Sequence, residues 1–305
     1  MRISTTTLFE TGSTRISELQ ASMAKTQQQL STGRRMQTAA DDPVAAAAAL
    51  DVTQSRAVNA QYLANRGVAR DSLAVTESMI ASVSELVQDA RALAVQAGNG
   101  TYSDQQRFSI AAELRGQLDQ MIGLANARDG AGKYLFAGFQ VDSAPFVKTA
   151  GVVQYNGDQG RRSLQVGSGR DMPVGENGQD LFMSGGQDLF RTMGDLATVL
   201  ETPVTTPADK VALRAGLDTA LARFDSGLDN VVTLRATVGA RMKELDNLDT
   251  YGEDLDVQYA TTLSKLQDID YAKVISELSQ QQTTLEAAQK SYVKITGLSL
   301  FNYLS

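Results

Sequence analysis

The two ends of the chain carry matching seven-residue apolar repeats, although most of the sequence lies between them. The repeat near the start consists of Phe9, Ile16, Met23 and Leu30, with Leu19 and Thr26 in complementary positions. The repeat near the end consists of Tyr271, Leu278, Leu285 and Tyr292, with Val274, Ala288 and Ile295 in complementary positions and Gln281 as an interruption. Because a seven-residue apolar repeat keeps one seam of a helix against a partner helix, both ends are predicted to form coiled-coil helices.

Neither end has an apolar face wide enough to stabilise a helix on its own, so each end needs a partner. The partner is the other end of the chain, further subunits, or both. This pattern is typical of a subunit that polymerises. The predicted assembly interface consists of Ile16, Leu19, Met23, Leu30, Leu278, Leu285, Tyr292 and Ile295.

Three long helical segments are predicted between the ends. The first begins at Pro43 and ends near Gly98, the second runs from Asp104 to about Arg128, and the third begins at Pro207. Their apolar stripes should pack together as a rod-like bundle. The sequence leaves open whether the third helix kinks near Gly252 or continues to about Gln267, where a last helix capped by Asp268 or Asp270 would follow.

The middle of the chain has a different character. Val153 and Tyr155 alternate with polar residues before Asn156-Gly157, and Leu164 and Val166 alternate after it. An Asn-Gly pair between alternating segments predicts a β-hairpin. The glycine-rich stretch 167–186 is expected to form loops.

The predicted fold class is therefore mainly α, a long-helix rod or coiled-coil bundle formed by the amino- and carboxyl-terminal segments, with a small β-containing insert in the middle. Residues 1–40 with 268–305 are predicted as terminal coiled-coil segments. Residues 41–132 with 187–267 are predicted as a helical rod domain, and residues 133–186 as the β insert.

Composition excludes several classes of function. The 305 residues include no cysteine and no histidine, which removes thiol and histidine-dependent catalysis and typical zinc ligation. A net charge of −7 disfavours nucleic acid as a partner, and no apolar run is long enough to span a membrane. We expect no enzyme activity, no small-molecule substrate, no cofactor and no metal.

Two separated motifs resemble the bacterial flagellin superfamily. Residues 30–36 (LSTGRRM) and 39–46 (AADDPVAA) resemble its hallmark, in which a Leu-Ser-(Ser/Thr)-Gly-basic run leads to Asp-Asp-Pro and a helix of small residues. Residues 266–272 resemble the segment that opens its terminal helix. The ending, 288–304, looks more like the hook–filament junction proteins of this superfamily than like flagellin. The resemblance covers both terminal thirds well and the middle poorly.

The resemblance implies a secreted structural protein of the extracellular flagellum, exported through the flagellar type III system. Its expected partners are copies of itself, hook-associated protein 1, flagellin and an export chaperone, and its terminal helices would form the inner core of the assembly. The matching motif consists of Gly33, Arg34, Arg35, Asp41, Asp42 and Pro43. Asp42 before Pro43 is sufficiently explained as a helix cap, worth about 1 kcal/mol. Asp41, Arg34 or Arg35 could in addition contact a neighbouring subunit.

Two hypotheses account for the apolar tail. The first is core packing alone; the second adds chaperone binding, since a large apolar patch on an unassembled chain favours a partner. The tail consists of Leu298, Leu300, Phe301, Tyr303 and Leu304. Two other functions stay open. A flagellin-like filament subunit shares the same physics, and a cytoplasmic coiled-coil adaptor would explain the apolar stripes without export.

Overall fold

A computed structural model describes the backbone of residues 2–184 and 187–301, and the side chains of these ranges apart from 2–6, 8 and 296–301. The order of elements is α1 (Arg2–Thr32), α2 (Pro43–Ala97), α3 (Asp104–Ala125), β1 (Phe146–Thr149), β2 (Val152–Tyr155), β3 (Ser163–Gly167), β4 (Arg170–Pro173), α4 (Gly178–Phe182), α5 (Leu189–Glu201), α6 (Pro207–Gln267) and α7 (Tyr271–Phe301). The predicted class, mainly α with a small β-containing insert, is confirmed.

Side chains cap the helices where the sequence predicts helix starts. Asp42 accepts a hydrogen bond from the backbone N–H of Ala45 (3.0 Å) at the start of α2. Ser103 and Gln106 form a capping box at the start of α3. Asp270, one of the two predicted candidates, accepts from the backbone N–H of Lys273 (3.2 Å) in the first turn of α7. These bonds satisfy backbone donors that have no partner within the helix.

The chain divides into two compact units. The terminal unit comprises residues up to 58 and from 254 onward, and the central unit comprises residues 59–253. Among the described residues, no helix is long and apolar enough to cross a bilayer.

The core of the central unit is built from the apolar stripes of α2, α3 and α6, together with α5 and the β insert. Within this unit α2 and α6 run antiparallel, as two ion pairs show: Arg235 Nε lies 2.7 Å from Glu77, and Arg91 Nε lies 2.6 Å from Asp225. The fully or nearly fully buried stripe residues are Leu73, Ile80, Val83, Val87, Ala90, Ala94 and Ala97 on α2, Ala111, Leu114, Leu118, Met121 and Ala125 on α3, and Leu217, Phe224, Val231, Val238 and Leu245 on α6.

The predicted β-hairpin across Asn156-Gly157 is wrong. β2 pairs antiparallel with β1, so that Phe146 lies opposite Tyr155, and β3 pairs antiparallel with β4. The β1–β2 turn is Ala150-Gly151, in which both residues have positive φ (52° and 86°). Phe146 is buried among Tyr155, Phe182 and Phe190, with ring centroids 5.1–5.2 Å apart. Burial of this aromatic cluster explains the pairing better than the local turn signal does.

In the described part of the stretch between β4 and α6, two α-helices are present. β4 and α4 both lie within the glycine-rich stretch that was expected to form loops, and this expectation is wrong for these residues. α5 begins after its N-cap Asp188 and packs against α3, with Leu189, Phe190, Met193, Leu196, Ala197 and Leu200 buried. The apolar spacing of α5 is helical and could have been found in the sequence.

α6 continues without a break through Gly252 to Gln267, which decides the question that the sequence left open.

Candidate assembly interface

The terminal unit is organised around an antiparallel pair of helices, α1 and α7. The ring of Phe9 contacts the ring of Tyr292 edge to face, with centroids 6.3 Å apart. Further along, Gln281 Nε2 donates to Ser22 Oγ (3.2 Å). Gly12 lies against the Tyr292 ring, where an added Cβ would come within 2.8 Å of a ring carbon. The two heptad seams recognised in the sequence therefore face each other in one chain.

The seam is only partly buried by this pairing. Leu285 is 8% exposed and Thr26 is 5% exposed. The remaining predicted interface residues other than Ile295 are half-buried: Ile16, Leu19, Met23, Leu30, Leu278 and Tyr292. Ile295 is 46% exposed. Within the described residues, the α1–α7 pairing therefore leaves most apolar positions of the seam incompletely covered.

Near the open end of the pair, the seam widens into a groove of about 620 Å³. Its walls include Phe9, Ile16, Ala288, Tyr292 and Ile295. α7 also exposes Tyr271, Ile275 and Val293, which are 55%, 53% and 67% exposed. The helix pair thus presents apolar surface both in the groove and on the outer face of α7, and surface of this kind marks interaction sites.

The motif around Gly33 links the end of α1 to the segment between α6 and α7. Gly33 has φ +69°, a backbone conformation that favours glycine, and its carbonyl accepts from the N–H of Ile269 (3.1 Å). The N–H of Arg35 donates to the carbonyl of Gln267 (2.6 Å). An added Cβ at Gly33 would lie 2.8 Å from the hydroxyl oxygen of Tyr271. Glycine is therefore required here both for backbone conformation and for space.

Asp41 organises the loop that follows α1. Its carboxylate accepts from Lys25 Nζ (2.7 Å) and from the backbone N–H groups of Gln37 and Thr38 (3.1 and 3.0 Å). These hydrogen bonds, the one from Lys25 above all, hold the pKa of Asp41 well below its usual range. Lys25 was not among the predicted site residues, because its partner lies beyond the end of its helix and no local pattern marks the pair.

Asp42 and Arg35 also act within the chain. The hydrogen bond from the backbone of Ala45 lowers the pKa of Asp42, and the nearby Arg35 guanidinium (3.1 Å) lowers it further. Arg35 also donates to the carbonyl of Leu266 (3.1 Å). Within the described residues, the exposed Arg34 guanidinium has no hydrogen-bond or ion-pair partner. Of the three residues considered for contacts between subunits, Arg34 is the one whose side chain is free to make them.

The predicted apolar tail falls largely outside what the structure describes. Tyr303 and Leu304 lie outside the described residues, as do the side chains of Leu298, Leu300 and Phe301. The backbone of these last three residues belongs to α7.

The chain matches known flagellar proteins along its whole length. Residues 3–141 match the model of the bacterial flagellin N-terminal helical region. The flagellar hook-associated protein 3 of Salmonella typhimurium is 36% identical over 315 aligned positions, which cover 99% of each chain. The protein of the same name from Escherichia coli is 35% identical with the same coverage.

The fold of the chain is similar to that of a solved structure. The structure of a flagellar hook-associated protein from Vibrio parahaemolyticus aligns with a TM-score of 0.69 and 26% sequence identity, covering 75% of this chain and all of that one. These relatives are structural components of the flagellum and not enzymes. The chain belongs to the flagellar hook-associated protein 3 family, within the flagellin superfamily.

Proposed function

We propose that this chain is a subunit of the hook–filament junction, that it lies between hook-associated protein 1 and flagellin, and that it assembles through α1 and α7. The family places it in the flagellum as a structural protein. The observation that supports assembly through the ends is the half-buried α1–α7 seam, in which Leu285 alone among the eight predicted interface residues is buried.

The energetics of a two-helix pair favour association. Ordering a residue costs roughly 1–2 kcal/mol of backbone entropy, and burial of apolar surface contributes about 25 cal/mol of stabilising free energy per Å². Because most apolar positions of α1 and α7 are only half-buried, the stabilising free energy from burial is small for a single helix pair. Neighbouring copies that cover the groove around Tyr292 and the exposed Ile275 and Val293 would add the missing burial. We infer that residues 1–40 and 268–305 form the inner core of the assembly.

The low stability of the ends before assembly is also consistent with export. Export as an unfolded chain is compatible with ends of low stability, and the partly covered helices α1 and α7 are such ends. We propose that before export a chaperone binds the apolar tail, comprising Leu298, Leu300, Phe301, Tyr303 and Leu304. The mature protein would then be extracellular, as part of the flagellum.

Two further assignments use the same helices. A flagellin-like filament subunit is favoured by the match of residues 3–141 to the flagellin N-terminal region, and it would form long filaments from purified protein alone. A cytoplasmic coiled-coil adaptor would stay in the cytosol, and its loss would leave motility intact. A junction subunit should not form long filaments from purified protein alone, and its loss should impair motility.

The test is electron microscopy of flagella from a strain lacking the gene. The expected result is hooks without filaments, with monomeric flagellin lost to the medium, and recovery of filaments when the gene is restored. Normal filaments in the deletion strain would contradict a junction role. Filaments missing together with intracellular retention of flagellin would point to an export defect instead.

A further inference from the structure

The apolar seams of α2 and α6 both end at a residue that breaks their pattern. On α2 the buried series Ala94, Val87, Ile80 and Leu73 continues in steps of seven to Arg66 and Asn59. On α6 the buried series Leu217, Phe224, Val231, Val238 and Leu245 continues in the same steps to Gly252. A uniform seven-residue repeat does not by itself distinguish one axial register from another shifted by seven residues. The residues that break the repeat can make this distinction.

Arg66 is a buried cation at the end of the α2 seam. Its side chain is 3% exposed, and Nε donates to a carboxylate oxygen of Asp249 on α6 (2.5 Å). Nη1 donates to the backbone carbonyl of Val166 in β3 (2.9 Å), which ties the β3–β4 hairpin to the same point. Asp249 also pairs with Arg70, one turn further along α2.

Gly252 provides the space that the Arg66 guanidinium occupies. A Cβ added at Gly252 would overlap Nη2 of Arg66 and would lie 3.3 Å from its Cζ and 3.4 Å from Asn59 Oδ1. The carbonyl of Gly252 accepts from Asn59 Nδ2 (2.8 Å). Glycine is disfavoured in the interior of a long helix, and at position 252 the Arg66 guanidinium occupies the space that a side chain would need.

We propose that Arg66 and Gly252 are a size-matched pair that specifies the axial register of α2 against α6 and holds the β3–β4 hairpin in that register. A shift of seven residues in either direction would place Arg66 opposite Leu245 or Tyr259. Opposite either side chain the guanidinium would lose its space. Opposite Leu245 it would also lose its carboxylate partner, because Met242 would take the place of Asp249, and a buried unpaired charge is strongly unfavourable. Opposite Tyr259, Asp256 would take the place of Asp249, so the loss of space alone disfavours that shift. Registry is the best-attested role of buried polar groups in helical seams.

The pairing is tested by a thermodynamic cycle measured by urea denaturation. Gly252→Ala is made in the parent chain and in an Arg66→Ala background, with Gly239→Ala as the matched control. Gly239 is an exposed glycine of the same helix, and an added Cβ there would meet no atom within 4 Å. Gly239→Ala should raise the folding equilibrium constant about fivefold in both backgrounds, from helix propensity alone.

Gly252→Ala should lower the folding equilibrium constant in the parent chain and raise it in the Arg66→Ala background, because removal of the guanidinium frees the space. The effect of Gly252→Ala should change sign in the same way in an Arg66→Met background, which keeps a long side chain without the branched end. This background replaces Arg66→Ala in the experiment if Arg66→Ala folds too poorly to measure. Stabilisation by Gly252→Ala in the parent chain, similar to that by Gly239→Ala, would overturn the size matching.

The register itself is read from a distance between spin labels. The chain contains no cysteine, so Ala92→Cys and Ala240→Cys, both at exposed positions, can be labelled uniquely. A slip of seven residues moves one helix by about 10 Å along the other. With Arg66→Leu and Gly252→Ala, which replace the matched pair by apolar residues, we expect a second distance shifted by this amount. A single unchanged distance would overturn the register role, whereas the parent chain should show one distance only.

Discussion

Phe9 and Tyr292, from near opposite ends of the chain, meet edge to face with ring centroids 6.3 Å apart. An aromatic pair of this geometry contributes about 0.5–1.5 kcal/mol beyond its burial. Both rings nevertheless stay half-buried and line an open groove. The contact aligns α1 with α7 and leaves an apolar groove open, which neighbouring subunits would cover in the proposed assembly.

Limited proteolysis of dilute monomer should release the two ends first. We expect early cleavage within residues 1–40 and 268–305 and a resistant central fragment, because one-sided burial makes α1 and α7 the least stable helices. The measurement is mass spectrometry of a digestion time course. Ends that are cleaved no faster than the central unit would contradict their dependence on neighbouring subunits.

Leu285→Asp should block assembly and leave the central unit folded. Leu285 is 8% exposed, and its replacement by a charge loses about 2–3 kcal/mol of apolar burial and adds the cost of desolvating a carboxylate. We expect loss of filament restoration in the deletion strain. Gln282→Asp introduces the same residue at an exposed position of α7 and serves as the matched control. Loss of the protease-resistant central fragment in the full-length Leu285→Asp chain would show that the seam does not act separately from the central unit.

Gly33→Ala should destabilise the terminal unit by about 1–2 kcal/mol, because an L-residue is strained at φ +69°. Crowding against the Tyr271 hydroxyl adds to this cost. Gly116→Ala in α3, where an added Cβ meets no atom within 4 Å, should instead stabilise its helix by up to about 1 kcal/mol. Hydrogen exchange of the amides of Arg35 and Ile269 would report the local effect. Unchanged protection of these amides would contradict the role of Gly33.

The loop held by Asp41 should open only in strong acid. Because the folded state lowers the pKa of Asp41 below its ordinary value of 3.8, the hydrogen bonds stabilise the loop fully above that pH. This stabilisation is lost as the pH falls further, through the lowered pKa. Carboxyl chemical shifts measured against pH should place the midpoint of Asp41 below 3.8. Lys25→Gln removes the largest cause and should move the midpoint upward, and no movement would contradict the ion pair.

Ala150→Asn should stabilise the β1–β2 hairpin by about 1 kcal/mol. Ala150 has φ 52° and precedes Gly151, which has φ 86°, and a two-residue turn of this kind prefers Asn-Gly. The expected result is a higher unfolding midpoint of the central unit. Ala112→Asn, on the exposed face of α3, should lower it, since asparagine is a poorer helix former than alanine. A fall with Ala150→Asn would contradict the turn geometry.

Much of the helical structure follows from local pattern. The seven-residue repeats of Ile16 and Leu285 predicted the two terminal helices, and Asp42 and Asp270 were predicted as helix caps. These features depend on neighbours within one or two turns, so the sequence displays them directly.

The strand pairing and the match between distant residues were decided by tertiary structure. The Asn156-Gly157 signal predicted the wrong hairpin, because the burial of Phe146 with Tyr155, Phe182 and Phe190 brings β1, which local pattern did not reveal, against β2. The reason for Gly252 became visible only when α6 lay beside Arg66. Helical periodicity is a property of neighbouring residues, whereas register depends on which side chains fill the same space, and that is determined only when distant segments pack together.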